Sequence, residues 1–191
     1  MPPRRVTLSI LSKLRLFHIC HLSKPKENRP IYRVIRRHKV RKIVELGIGD
    51  SQRALRMIEL AGRISDVSDI HYVGMDPFEG RSESEGKPIC LKDVHQRLRS
   101  TGVRVQLVPG NPVESLIRLA NSLGKVDLLI VPAEIESAEY ARAWFFVPRM
   151  LHAGTQVFVG SVTPDGRRVL RLKSHAEIDE QASRGNSRRA A

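Results

Sequence analysis

Lys42-Ile43-Val44-Glu45-Leu46-Gly47-Ile48-Gly49-Asp50-Ser51 is the stretch that decides how this chain is read. A short β-branched run ends in a turn with two glycines, and Gln52–Ala61 then shows helical spacing. The glycines permit a sharp backbone turn and let a ligand approach where a side chain would block it. Outward from this junction the alternation repeats. Runs suited to strands occupy Ile70–Met75, Val103–Val108, Val126–Val131 and Thr155–Val159, and helical patterns occupy Leu91–Arg99, Val113–Ser122 and Ser137–Met150, the last shortened near Pro148. Such spacing predicts βαβ units and a sheet buried on both faces, an α/β, Rossmann-like doubly wound, mostly parallel sheet of five to six strands flanked by helices. Pro30 opens a lead-in helix carrying Ile31, Val34 and Ile35 on one face. Arg167–Leu172, after the turn signal Pro164-Asp165-Gly166, reads as a returning strand. The organisation expected is a basic arm over residues 1–29, one domain over 30–175, and a flexible tail over 176–191.

Charge is distributed unevenly. Residues 1–42 hold thirteen Lys/Arg and one acid, Glu27, for a net +12; residues 43–160 total −2 and residues 161–191 total +3. Nucleic acid or another polyanion, if bound, is therefore expected on the N-terminal arm, and a solvated basic arm is the plain alternative. Cys20 and Cys90 form neither a disulfide framework nor a CxxC pair, and a reducing, cytoplasmic setting is expected. His18-x-x-His21 sits among basic residues and is read as coincidence, not as a metal site. Lys13 and Arg15 interrupt the apolar stretch Thr7–Leu22, which makes a poor signal core and a worse membrane span, while the lack of any acid before Glu27 leaves an organellar transit peptide open for a eukaryotic source.

Charge also sorts the ligands that the glycine turn can take. A dinucleotide needs a third glycine where Gln52 stands and no anions nearby, whereas Glu45 and Asp50 flank the turn. A hydrolase elbow lacks its second glycine in Gly49-Asp50-Ser51-Gln52-Arg53. A cationic ligand, an ammonium or sulfonium, suits an acidic glycine turn. Asp50 or Ser51 as a simple helix cap is the plain reading of those two residues.

Glu45-x-Gly47-x-Gly49, Asp76 ending Tyr72-Val73-Gly74-Met75-Asp76, Leu107-Val108-Pro109-Gly110-Asn111, Asp127–Val131 and Leu151-His152-Ala153-Gly154 stand in order along two thirds of the chain. Together they resemble the successive motifs of class I S-adenosylmethionine-dependent methyltransferases, in the O-methyltransferase-like branch. The resemblance implies S-adenosylmethionine as cofactor, with Glu45, Gly47 and Gly49 at its methionine moiety, Asp76 on the ribose, Phe78 against the adenine and Asn111 accepting from the adenine amino group. It implies methyl transfer to an unknown acceptor, with Glu134, in an acidic cluster with Glu136 and Glu139, as a general base if partly buried. The chain departs from the family in three places. Ser51 replaces the third glycine, Pro132 stands where metal-dependent members carry an aspartate, so no catalytic metal is expected, and few residues remain for the terminal strands. Those departures support the alternative, a catalytically inactive methyltransferase-like binding or scaffold protein.

Overall fold

Several strands of the chain have no exposed face. Leu128–Val131 is buried throughout, and in Lys42–Leu46 every residue after Lys42 is buried, including Glu45. Strands like these need cover on both sides. In the computed structural model, which describes residues 10–83, 86–137 and 140–187, they form the centre of a six-stranded sheet. The strands are β1 (Lys42–Leu46), β2 (His71–Asp76), β3 (Arg104–Pro109), β4 (Leu128–Val131), β5 (Gln156–Val162) and β6 (Arg168–Lys173), in the order β3-β2-β1-β4-β5-β6. All pairings are parallel except the β5–β6 hairpin. The helices are α1 (Ile10–Phe17), α2 (Arg29–His38), α3 (Gln52–Gly62), α4 (Leu91–Arg99), α5 (Pro112–Leu123) and α6 (His175–Ser187).

Alternation along the strands divides the core into two layers. Ile43, Tyr72, Leu128 and Phe158 point toward α2, α3 and α4, while Val44, Val73, Leu129 and Val157 point toward α5 and the segment around Trp144. The strand order reverses at β1, whose neighbours are β2 and β4. In sheets of this kind ligands collect at the carboxyl ends of the strands flanking that reversal, where the glycine turn lies.

Two expectations need correction. Ser137–Met150 is not a helix: 3-10 turns cover Ala133–Glu136, Ala141–Phe145 and Val147–Met150. Pro148 lacks the amide that an α-helix would bond to the Trp144 carbonyl, and tighter bonds replace it, such as Phe146 N to Ala143 O at 3.0 Å and Leu151 N to Pro148 O at 3.2 Å. Glu139 and Ala138 lie outside the described residues. The segment read as a flexible tail forms α6, anchored by the buried Ile178. The second half of the basic arm also packs, through Leu16, Ile19 and Cys20, into the layer containing α2 and α3.

Gly160 on β5 is the tightest backbone crossing in this arrangement, because a Cβ there would meet the backbone nitrogen of Ala133 at 2.9 Å and the carbonyl carbon of Pro132 at 3.4 Å. Gly160→Ala is expected to lower unfolding free energy by about 1–3 kcal/mol, the usual cost of overpacking, in urea melts. A stability unchanged within error would show that the segment at Pro132 yields freely.

Candidate functional site

The turn after β1 has the backbone its glycines allow. Gly47 and Gly49 lie at φ +75° and +66°, and a Cβ on either would meet nothing within 4 Å, so the space above them is open. Ser51 also sits at positive φ, 65°, fully buried, in the left-handed conformation that a glycine takes without cost. Its side chain does not cap α3; Asp50 Oδ1 instead accepts from Gln52 N at 3.0 Å, and Ser51 Oγ receives Arg97 Nη1 at 3.2 Å.

Glu45 lies on the sheet face that looks toward α3, two residues along from Ile43. There its fully buried carboxylate accepts from Arg53 Nε and from the Tyr72 hydroxyl, each at 2.5 Å. Arg53, in the first turn of α3, also reaches Gly47 O at 3.0 Å. Burial works against the Arg53 charge, but Glu45 outweighs it and holds the guanidinium pKa above its ordinary value. Burial and the Glu45 charge together push the Tyr72 phenol well above 10. Glu45 thus serves as the buried anion of a local network.

Asp76 is more heavily engaged. Its Oδ1 accepts from Phe78 N at 2.8 Å and Arg81 Nε at 2.8 Å, and its Oδ2 from Ile48 N at 2.9 Å and Arg81 Nη2 at 2.7 Å. The side chains of Arg81 and Asp76 are 6% and 2% exposed. Arg81 continues to Gly49 O at 2.8 Å and Lys87 O at 3.0 Å, bridging the glycine turn and the loop after β2. An ionised carboxylate offers about four acceptor positions, and here four donors fill them.

The remaining expected residues are engaged within the chain or face solvent. Phe78, at φ 53°, is fully buried in the layer with Ile48 and packs the core edge. Asn111 Oδ1 caps α5, accepting from Val113 N at 3.0 Å and Glu114 N at 3.1 Å, and its amide donates to the Tyr140 hydroxyl at 2.8 Å. Glu134 is exposed, so the partial burial that general-base work requires is missing. Glu136 pairs with the buried Lys173 at 2.5 Å, whose ammonium also lies 4.6 Å from the Trp144 ring centroid. Two clefts, of about 550 Å³ beside α4 and β3 and about 250 Å³ beside β6 and α6, both lie away from the glycine turn. Among the described residues no group of three or more His, Cys, Asp or Glu is placed to hold a metal.

A ribose hydroxyl would have to displace a donor from Asp76, and the adenine amino group would have to compete with two helix amides for Asn111. The residues that decide this, Arg53, Tyr72 and Arg81, were not expected from sequence. The only signal was basic residues close in sequence to each carboxylate.

No family model matches the chain, and no curated protein matches it. Solved structures do. An O-methyltransferase from Bacillus cereus in complex with SAH is 15% identical, with 98% of this chain and 80% of that chain covered and a TM-score of 0.53. The cofactor-bound protein Rv0187 from MTB is 16% identical, covering 93% and 75%, at TM-score 0.52. The calicheamicin methyltransferase CalS11 is 17% identical, covering 80% and 66%, at TM-score 0.50. With its six-stranded, mostly parallel sheet and glycine turn at the strand reversal, the chain has the fold of the class I S-adenosylmethionine-dependent methyltransferases.

Proposed function

We propose that this chain is a non-catalytic binding protein built on a methyltransferase fold, with its cofactor crevice closed by Arg81. The observation that carries this reading is the saturated Asp76 carboxylate: the anion that would receive the ribose is neutralised and fully hydrogen-bonded within the protein. Three further features agree with it. Glu45 is sealed by Arg53 and Tyr72, Asn111 is consumed as a helix cap, and Glu134 faces solvent. Donors from the chain itself, backbone amides and side chains together, occupy the acceptors of Glu45, Asp76 and Asn111.

One observation favours a second reading, a methyltransferase gated by Arg81. The space above Gly47 and Gly49 remains open, which is the approach a cofactor would need once the arginine withdrew. In that case S-adenosylmethionine would supply an electrophilic methyl group, and the protein would bind and orient it.

Calorimetric titration with S-adenosylmethionine and S-adenosylhomocysteine separates the two. The closed reading predicts no heat from the wild-type protein at millimolar ligand and detectable S-adenosylhomocysteine binding by Arg81→Ala, which frees two acceptor positions on Asp76. Micromolar affinity in the wild type would overturn it and establish the gate.

The same pair sets a stability prediction. Removing one partner of a buried ion pair leaves the other uncompensated, so Arg81→Ala should cost about 3–5 kcal/mol in chemical denaturation, less whatever the two backbone amides retain. Arg81→Lys keeps the charge but loses the planar two-pronged contact, and its stability should fall between the two. Equal stability for Arg81→Ala and wild type would show that the pair contributes nothing and that the crevice is not held shut.

A further inference from the structure

Helix α1 is apolar on two sides. Its inner side is fixed to the domain by buried Leu16, followed by Ile19 and Cys20 in the next turn, and by Arg15, whose Nε and Nη2 donate to Glu59 on α3 at 2.9 and 3.0 Å. Its outer side carries Ile10, Leu11, Leu14 and Phe17, exposed by 77%, 78%, 61% and 52%, with Leu22 beyond them at 57%. The only other large hydrophobics so exposed among the described residues are Val162 and Leu172. At about 100° per residue, Ile10, Leu14 and Phe17 form one stripe with Leu11 beside it. Because the inner side is anchored, the helix cannot roll to hide this stripe.

The surroundings are cationic. Exposed Lys13 borders the stripe, Lys24 and Lys26 follow it, and Arg33, Arg36 and Arg37 are exposed on α2. Helix α2 packs against His18–Leu22, the turn that continues α1, where burial pushes the Cys20 thiol up and the Arg36 and Arg33 charges pull it down. Over residues 1–42 the net charge is +12.

We infer that α1 is a membrane-surface anchor, its Ile10–Phe17 stripe entering the headgroup boundary of an anionic bilayer while the flanking lysines and arginines engage the lipid phosphates. Apolar area and positive charge on one helix face are the two terms that hold a helix in the interfacial plane, and each basic residue near an anionic surface adds its own attraction. No described helix is long and apolar enough to cross a bilayer, so the contact is peripheral. A second copy fits less well, since pairing two such faces would bring like charges of this size together. Nucleic acid would satisfy the cations but leave the aliphatic stripe in water, with Phe17 the one stacking side chain on it. This inference is independent of the state of the crevice.

Flotation of the full chain with phosphatidylcholine vesicles, with and without phosphatidylglycerol, tests it. The chain should float with the phosphatidylglycerol vesicles, less so as salt rises. The double variant Leu11→Glu/Leu14→Glu should lose at least about tenfold in partitioning. Both positions are exposed, so its thermal melt should match wild type, and Lys13→Glu should weaken binding to anionic vesicles only. A wild type that stays in the aqueous fraction with anionic vesicles overturns the inference, as does a double variant that floats equally well. A concentration-dependent dimer in light scattering that the double variant abolishes would assign the face to a second copy. Duplex DNA binding retained by the double variant, with no flotation by either protein, would assign the charge to nucleic acid.

Discussion

Four hydrogen-bond donors converge on the carboxylate of Asp76, and the functional end of the sheet is organised around that convergence. Ile48 N comes from the turn after β1, Phe78 N from the turn after β2, and the guanidinium of Arg81 from the loop beyond it. A buried carboxylate is costly to desolvate, and a planar two-pronged guanidinium with two further amides offsets that cost. Because Arg81 also binds the carbonyls of Gly49 and Lys87, one charge pair joins three segments that share no secondary structure. Order at the carboxyl ends of β1 and β2 therefore rests on this one set of contacts.

Glu45 repeats this logic one layer deeper. Strand alternation turns its side chain to the α3 face, where no water can reach it, and Arg53 and Tyr72 satisfy both its oxygens. Glu45, which reads from sequence as part of an acidic turn suited to a cationic ligand, finds its cation, Arg53, within the chain. The glycines that would admit a ligand are still present, and at Gly47 and Gly49 they keep the left-handed conformations that make the turn.

Beyond β5 the chain supplies one antiparallel strand and α6, and buried Lys173 on β6 is neutralised by Glu136 and covered by the Trp144 ring. That arrangement uses the acidic cluster structurally at Glu136, leaving Glu134 in solvent. Toward the other end of the chain, α1 is held by its inner side and leaves an apolar, cation-rimmed outer side.

Much of the architecture was legible in the sequence because periodicity is a local property. The β1 run and the Leu91–Arg99 helix match the structure at both ends, the other strands lie within three residues of their expected limits, and the returning strand after Pro164-Asp165-Gly166 is β6. The errors were also local in cause. Ser137–Met150 has helical spacing, but Pro148 breaks the hydrogen-bond ladder, and the polar residues after Ala176 conceal the single anchor Ile178 that orders α6. For the site, the sequence alone determined which carboxylates and glycines stand at the ends of β1 and β2. Only the tertiary structure decided whether those carboxylates are free, because the partners that fill them, Arg53 and Tyr72 for Glu45 and Arg81 with Ile48 N for Asp76, are brought into hydrogen-bond range by strand pairing and loop closure, and their direction follows from packing and not from spacing along the chain.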